Sequence, residues 1–147
     1  MNTQSLTQSL CLAVLALAGF SAQAQQTGNV AVEFQGPGGH SSGNYGRTSA
    51  LHAAGRAVIF LQQANLLSGS YVITNVTGGN SVNSIASDGL IEMQLTAADA
   101  TAVTALVTRV TAAAKSGADA ENAFRNVKAG DLTAGAPAHI RYAVTRR

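Results

Sequence analysis

His40 is the residue of this 147-residue chain best placed to do chemistry. It lies near the centre of a glycine-dense stretch, residues 36–46, with Gly38-Gly39 before it and Ser41-Ser42 after it. Because glycine adopts positive φ and lets a backbone approach a partner closely, the pattern predicts a loop that presents the imidazole to a ligand. The alternative for a lone loop histidine is an exposed side chain without a role, and we favour the contact role.

A second glycine-rich loop is predicted over residues 78–89. It begins with Gly78-Gly79 and contains Asn80 and Asn83. Asparagine beside glycine usually forms turns, so turn formation is the alternative to a binding role for both asparagines.

Self-contained catalysis finds little support in these loops. Ser41 and Ser42 adjoin His40, but no nucleophile elbow is present, and neither loop has the lysine or spacing of a phosphate-binding motif. His40, His52 and His139 show no metal-ligand spacing, and we expect His52 to be structural and His139 to lie on a surface strand. We therefore expect no catalytic residue in this chain alone, no metal site and no cofactor.

Composition indicates one globular domain. Hydrophobic residues make up 46% of the chain and charged residues only 11%, which excludes a disordered chain. The net charge of +2 is too small to indicate a nucleic-acid partner.

The N-terminus predicts export. Residues 10–20 form an apolar run too short to span a membrane, and Ala22-Gln23-Ala24 fits a signal cleavage site. We expect residues 1–24 to be a signal peptide, in preference to an N-terminal core helix, and residues 25–147 to be a single periplasmic or secreted domain without a membrane anchor. Cleavage would remove Cys11, the only cysteine, and with it any disulfide.

Hydrophobic periodicity indicates the elements that position the loops. Strands are predicted over residues 29–35, 71–76 and 90–95, and a last strand follows Pro137. In the first strand Val30, Val32 and Phe34 point to one face and Ala31 to the other. Helices are predicted from a cap at Thr48 or Ser49 to about Asn65, and from residue 96 to Ser116-Gly117. Residues 117–137 are unassigned, with a short helix or an ordered loop over 122–128. The order βαββαβ predicts an α+β, ferredoxin-like two-layer sandwich, a four-stranded, mainly antiparallel sheet with both helices on one face.

The first helix carries a stripe of small residues and one aromatic, Ala50, Ala53, Ala57 and Phe60. One interpretation is a helix buried over a wide arc. The other is a face that lets a second helix come close, which makes these residues a candidate dimer face.

Taken together, Gly-Pro-Gly-Gly-His-Ser after the first strand and Gly-Gly-x-x-x-Asn-x-Ile before the third resemble the lid, or dimerisation, domain of the di-zinc aminoacylase and carboxypeptidase family. The resemblance is strongest over residues 29–116. It implies that His40 reaches a partner subunit's active site to hold the substrate carboxylate and the oxyanion, and that Asn83 lines the same site. Gly38, Gly39, Gly78 and Gly79 would shape the two loops.

The resemblance also implies what this sequence lacks. The family inserts this domain into a larger catalytic domain that carries the zinc ions, and the lids pair through the first helix and an edge strand. Here the metal motifs are missing, and Ala86 stands where the family often has proline. We expect an exported, non-catalytic module that forms a homodimer. The alternatives are an accessory subunit that supplies His40 in trans to a separate catalytic peptidase chain, and a truncated remnant of a peptidase.

Overall fold

Four long strands and two long helices dominate residues 24–147, the part of the chain that this computed structural model describes. In chain order the elements are β1 (Gln26–Gln35), β2 (Gly39–His40), α1 (Ser41–Asn44), α2 (Ala50–Gln63), β3 (Tyr71–Thr77), β4 (Ser84–Ile85), β5 (Asp88–Ala97), α3 (Ala100–Phe124), β6 (Leu132–Thr133), β7 (Ala136–Pro137) and β8 (Arg141–Arg146). The predicted signal peptide lies outside the described residues except for Ala24, and it stays a prediction. Between residues 24 and 147, no helix has the length and apolarity needed to cross a membrane.

The four long strands form one sheet in the order β3-β5-β1-β8, and every neighbouring pair is antiparallel. Val32 of β1 lies opposite Ile91 of β5 on one side and Val144 of β8 on the other. Since side chains alternate between the faces of a sheet, this register brings the apolar residues of neighbouring strands to one face. Both helices pack on that face, so the predicted ferredoxin-like sandwich is confirmed.

The core lies between this face and the helices. It comprises Val30, Val32 and Phe34 of β1, Ile91, Met93 and Leu95 of β5, and the apolar stripes of α2 and α3, all at most a few per cent exposed. Ala31, predicted to be outward, is nevertheless only 1% exposed. It lies on the opposite face between Glu92 and Thr145, where larger neighbours cover its small side chain.

α2 begins as predicted, because the Ser49 side chain accepts a hydrogen bond from the backbone of His52. Its small-residue stripe does not form an intermolecular face. Ala50, Ala53 and Ala57 are between 0% and 3% exposed within the single chain, so the candidate dimer face is wrong for these three residues. Phe60 is 36% exposed, and its place in a dimer stays a prediction.

α3 does not end at Ser116-Gly117 as predicted but continues to Phe124. A Cβ atom on Gly117 would lie 2.6 Å from the Ala53 carbonyl oxygen and 2.7 Å from the Ala57 backbone nitrogen. The glycine therefore lets α3 cross α2 at close range, and the helix that approaches the alanine stripe belongs to the same chain.

After α3 the chain forms a small hairpin, in which β6 pairs with β7, and then enters β8. β8 begins at Arg141, so His139 lies in a bend before the strand and not on a strand as predicted. Its Nδ1 atom is buried and has no hydrogen-bond partner among the described residues.

Candidate functional site

The two glycine-rich loops meet. β2 pairs with β4 so that His40 lies opposite Ser84, and the backbone N–H of Ser41 donates to the Asn83 carbonyl oxygen at 2.9 Å. The loops therefore form one small platform, which we call the loop platform (residues 36–46 and 78–89), beyond the ends of β1 and β3.

Glycine is required where the loop platform is tightest. Gly38 has a φ of +63°, and a Cβ atom there would lie 2.7 Å from the Cβ of Ser87. At Gly78 a Cβ atom would lie 2.5 Å from the Asp88 carbonyl oxygen. Gly39 and Gly79 also have positive φ. Each of the four predicted loop-shaping glycines therefore has either a positive φ or a backbone neighbour too close for a side chain.

His40 and Asn83 are in contact at the surface of the loop platform. The Nε2 atom of His40 lies 3.1 Å from the side-chain amide nitrogen of Asn83, and both residues are exposed. On its other side the ring faces Ser42, whose backbone nitrogen and Oγ lie 3.3 Å and 2.8 Å from Nδ1. Both ring nitrogens are thus in contact with neighbouring polar groups, and His40 serves as the N-cap of α1.

The Ser42 contact favours one tautomer of a neutral ring. The Ser42 backbone N–H can only donate, so Nδ1 accepts from it and the ring proton lies on Nε2. The Asn83 side chain turns its amide nitrogen toward this Nε2–H group, while its oxygen accepts from Ser81 Oγ. The Nε2–H group and the Asn83 amide nitrogen are therefore neighbouring donors.

The loop platform therefore presents an imidazole N–H beside an amide. These two donor groups at an exposed position suit a carboxylate or a developing oxyanion, to which both would donate. Ser42 completes the N-cap of α1 and orients the ring, and Asn44 Nδ2 adds a bond of 2.8 Å to the His40 carbonyl oxygen.

A buried carboxylate that the sequence did not predict lies behind the loop platform. Glu121 of α3 is 0% exposed and accepts from the Ser49 backbone N–H at 3.1 Å, from Arg56 Nε at 3.0 Å and from Arg125 Nε at 3.4 Å. His52 Nδ1 lies 3.9 Å away. An anion at the N-terminus of α2 also interacts favourably with the helix dipole. The signal in the sequence was the Glu121–Arg125 spacing of four residues, which reveals one partner and none of the contacts to α2.

A second buried contact fixes the same helix end. Thr48 Oγ1 donates to the Ala138 carbonyl oxygen at 2.6 Å, and Thr48 is 0% exposed. Together with Glu121, this bond ties the chain between the loop platform and α2 to the C-terminal third of the domain.

The zinc ions of the family that the sequence resembles do not fit the residues described here. Between residues 24 and 147, no three His, Cys, Asp or Glu side chains come together in a group that could hold a metal ion. The loop platform offers one imidazole, His40, and one carboxylate, Asp88, besides amides and hydroxyls, whereas zinc sites need several imidazole, thiolate or carboxylate ligands together.

Comparison with known proteins gives a result only at the level of structure. No protein-family model matches the sequence, and no curated protein matches it. Solved structures do match. An aminobenzoyl-glutamate utilization protein from Klebsiella pneumoniae aligns with a TM-score of 0.63 and 17% identity over 83% of this chain. A hydantoinase/carbamoylase family amidase from Burkholderia ambifaria gives 0.63 and 18% over 84%, and aminopeptidase PepT from Bacillus cereus gives 0.56 and 16% over 82%.

This chain has the fold of one part of larger hydrolases. It spans 28% of the Klebsiella protein, 27% of the Burkholderia amidase and 29% of the Bacillus aminopeptidase. The predicted resemblance to a single domain of a peptidase and amidohydrolase family is thereby confirmed for the fold.

Proposed function

We propose that this chain is an association module that forms a homodimer through β3 and the exposed side of α2, and that it is not catalytic by itself. The observation that carries the proposal is the outer edge of β3. Among residues 24–147, no strand pairs with that edge. An unpaired edge is a template for pairing with another chain.

The two edges of the sheet differ in a way that favours β3. Its sequence, Tyr71–Thr77, contains no charged residue and no proline, and Val72 and Val76 are 57% and 43% exposed. The opposite edge, β8, carries Arg141 and Arg146. Since charged side chains oppose edge-to-edge pairing, β3 is the edge suited to association.

α2 supplies further apolar surface on the same side of the domain. Of the two edge strands, α2 contacts β3, whereas α3 contacts β8. On α2, Ile59 and Phe60 are 53% and 36% exposed, and Leu67 in the following turn is 83% exposed.

Val76 lies opposite Ile91, on the face of the sheet that the helices cover, and Val72 lies opposite Gln94, on the other face. Strand pairing at β3 would bring each valine beside the partner's edge, and α2 would add contacts on the helix side alone.

Sedimentation equilibrium of the protein at increasing concentration tests the proposal. We expect a monomer–dimer equilibrium with the dimer predominant in the micromolar range. A single monomeric species at high micromolar concentration would contradict it. Export would be supported by recovery of the protein from the periplasm or medium with residues 1–24 removed.

A second candidate function follows from the His40–Asn83 contact. The chain would be an accessory subunit that offers this donor pair in trans to the active site of a separate zinc peptidase or amidohydrolase chain. The exposure of both side chains supports this role.

Reconstitution with a hydrolase chain whose own lid domain has been deleted tests this candidate. We expect the chain to restore activity, and His40→Ala and Asn83→Ala to lose at least tenfold of the restored rate. Asn80→Ala, in the same loop, is the matched control and should retain it. Full restoration by His40→Ala would exclude the donor role. No dimer and no restoration would favour a truncated remnant of a peptidase.

A further inference from the structure

A cleft of about 280 Å³ lies between the loop platform and the first turn of α2. Its lining includes Ser41 and Ser84 of the loop platform, together with Arg47, His52 and Arg125. We propose that this cleft binds a small molecule with one carboxylate group and an apolar body. The site is separate from the outer edge of β3 and from the His40–Asn83 pair, and it does not rest on the proposed association.

The charge of the cleft is the first argument. Of the residues that line it, none is an aspartate or a glutamate, whereas two are arginines. Glu121, buried behind the cleft, is bound by both Arg125 and Arg56, so its single negative charge is already shared. Arg47 has no carboxylate partner among the described residues, and its Nη1 donates only to the Gly38 carbonyl oxygen at 3.1 Å.

The charges around the cleft do not cancel, because Arg47, Arg56 and Arg125 carry three positive charges against the one negative charge of Glu121, which leaves two. Arg47 and Arg125 are only partly exposed, with Arg125 at 22% of its side chain, so their charge is less screened than that of a surface lysine. A guanidinium offers a planar fork of N–H donors that matches a carboxylate. The Ser41 hydroxyl can donate to one oxygen of the carboxylate, whereas the Ser84 hydroxyl already donates to the Ser81 carbonyl oxygen at 3.0 Å.

The remaining walls favour an organic anion over a bare inorganic one. Leu51, Ile85 and Tyr45 line the cleft with apolar surface beside the arginines. A few convergent polar groups within mainly apolar walls are typical of small-molecule sites, and the volume lies near the lower end of their range of about 300–1,000 Å³. A monocarboxylate with a ring or short aliphatic chain fits both the Arg47 guanidinium, which has no carboxylate partner among the described residues, and the apolar walls.

Titration of the full chain with benzoate, followed by ¹H–¹⁵N correlation spectra, tests the proposal. We expect saturable shifts of the backbone amides of Ser41, His52 and Ser84, with a Kd in the millimolar range or tighter. Benzamide has the same shape without the charge and should bind at least tenfold more weakly. Inorganic phosphate should also bind more weakly, because it lacks the apolar body.

Two variants with the same net charge distinguish specific binding in the cleft from a general effect of net charge. Arg47→Gln should weaken benzoate binding at least tenfold, and Arg47→Lys should recover part of the loss. Arg109→Gln removes the same charge from an exposed position of α3 outside the cleft and should leave the Kd unchanged. Unchanged resonances of Asn83 in Arg47→Gln will establish that the loop platform is intact.

Three results would overturn the proposal. The first is equal binding of benzoate and benzamide, which removes the charge argument. The second is tighter binding of phosphate than of benzoate, which would contradict the inference that the ligand has an apolar body. The third is an equal effect of the Arg47→Gln and Arg109→Gln substitutions, which would show that benzoate does not bind specifically in the cleft.

Discussion

The Nε2 atom of His40 lies 3.1 Å from the side-chain amide nitrogen of Asn83, although 43 positions separate the two residues in the chain. The contact depends on the β2–β4 pairing, which joins one glycine-rich loop to the other. Both proposals about the loop platform, donation in trans and binding in the adjoining cleft, therefore depend on the backbone of these loops.

The glycines of the first loop should differ sharply in their tolerance to substitution. Gly38→Ala adds a methyl group 2.7 Å from Ser87 Cβ at a φ of +63°, so we expect the loop to move and the His40–Asn83 contact to be lost. Gly43→Ala, in the same stretch, meets nothing within 4 Å and should preserve the contact. Nuclear Overhauser effects between the His40 ring and the Asn83 amide protons measure it. Equal spectra for the two variants would contradict the requirement for glycine.

The crossing of α2 and α3 predicts opposite effects for two helical glycines. Gly117→Ala forces a Cβ atom to within 2.6 Å of the Ala53 carbonyl oxygen, and overpacking of this kind costs about 1–3 kcal/mol. Gly55→Ala on α2 meets nothing within 4 Å, and alanine is favoured over glycine in helices by about 0.8–1.0 kcal/mol. Urea unfolding should give destabilisation for the first variant and stabilisation for the second. The prediction fails if both variants gain stability.

Glu121 should be the most costly carboxylate to remove. Glu121→Ala leaves Arg56 and Arg125 without their buried partner and the Ser49 N–H without an acceptor, and breaking a buried ion pair costs about 3–5 kcal/mol. Asp119→Ala, two positions away on α3, removes an exposed partner of Lys115 and should change stability little. Thermal and urea unfolding compare the two. A small loss for Glu121→Ala would mean that the cluster does not hold α2 to α3.

A charge on the edge of β3 should abolish self-association. Val72→Lys would place like charges close together across a two-fold axis, and lysine on an edge strand opposes pairing. We expect the dimer to weaken at least tenfold by sedimentation equilibrium. Val82→Lys makes the same substitution at a fully exposed loop position away from β3 and should leave the dimer unchanged. Equal weakening by both would indicate a general charge effect and not an edge interface.

Local patterns in the sequence predicted the elements well where one rule dominated. The alternation of Val30, Val32 and Phe34 indicated β1 and its buried face, and Ser49 was one of two predicted caps of α2. Gly117 was misread, because a glycine after an apolar helical stripe usually marks a helix end. Glycine occupies this position because the backbone of α2 packs against it and leaves no room for a side chain.

The alanine stripe of α2 is a second feature whose role the sequence could not decide. Small residues at helical spacing left two interpretations open, a helix buried over a wide arc and a face that another helix approaches, and another helix does come close. The sequence alone could not distinguish a helix of the same chain from one of a partner, because both satisfy the same pattern. Only the position of α3 decided it, by covering Ala50, Ala53 and Ala57.

The sequence by itself determined the order of strands and helices, the two glycine-rich loops and the residue types, His40 and Asn83, that they present. Those features depend on periodicity and backbone conformation, which are local properties of the chain. The tertiary structure decided that the two residues touch, that Glu121 binds α2, and that Arg47 and Arg125 share a cleft. These contacts join positions far apart in the chain, and only the packing of the helices on an antiparallel sheet determines their distances.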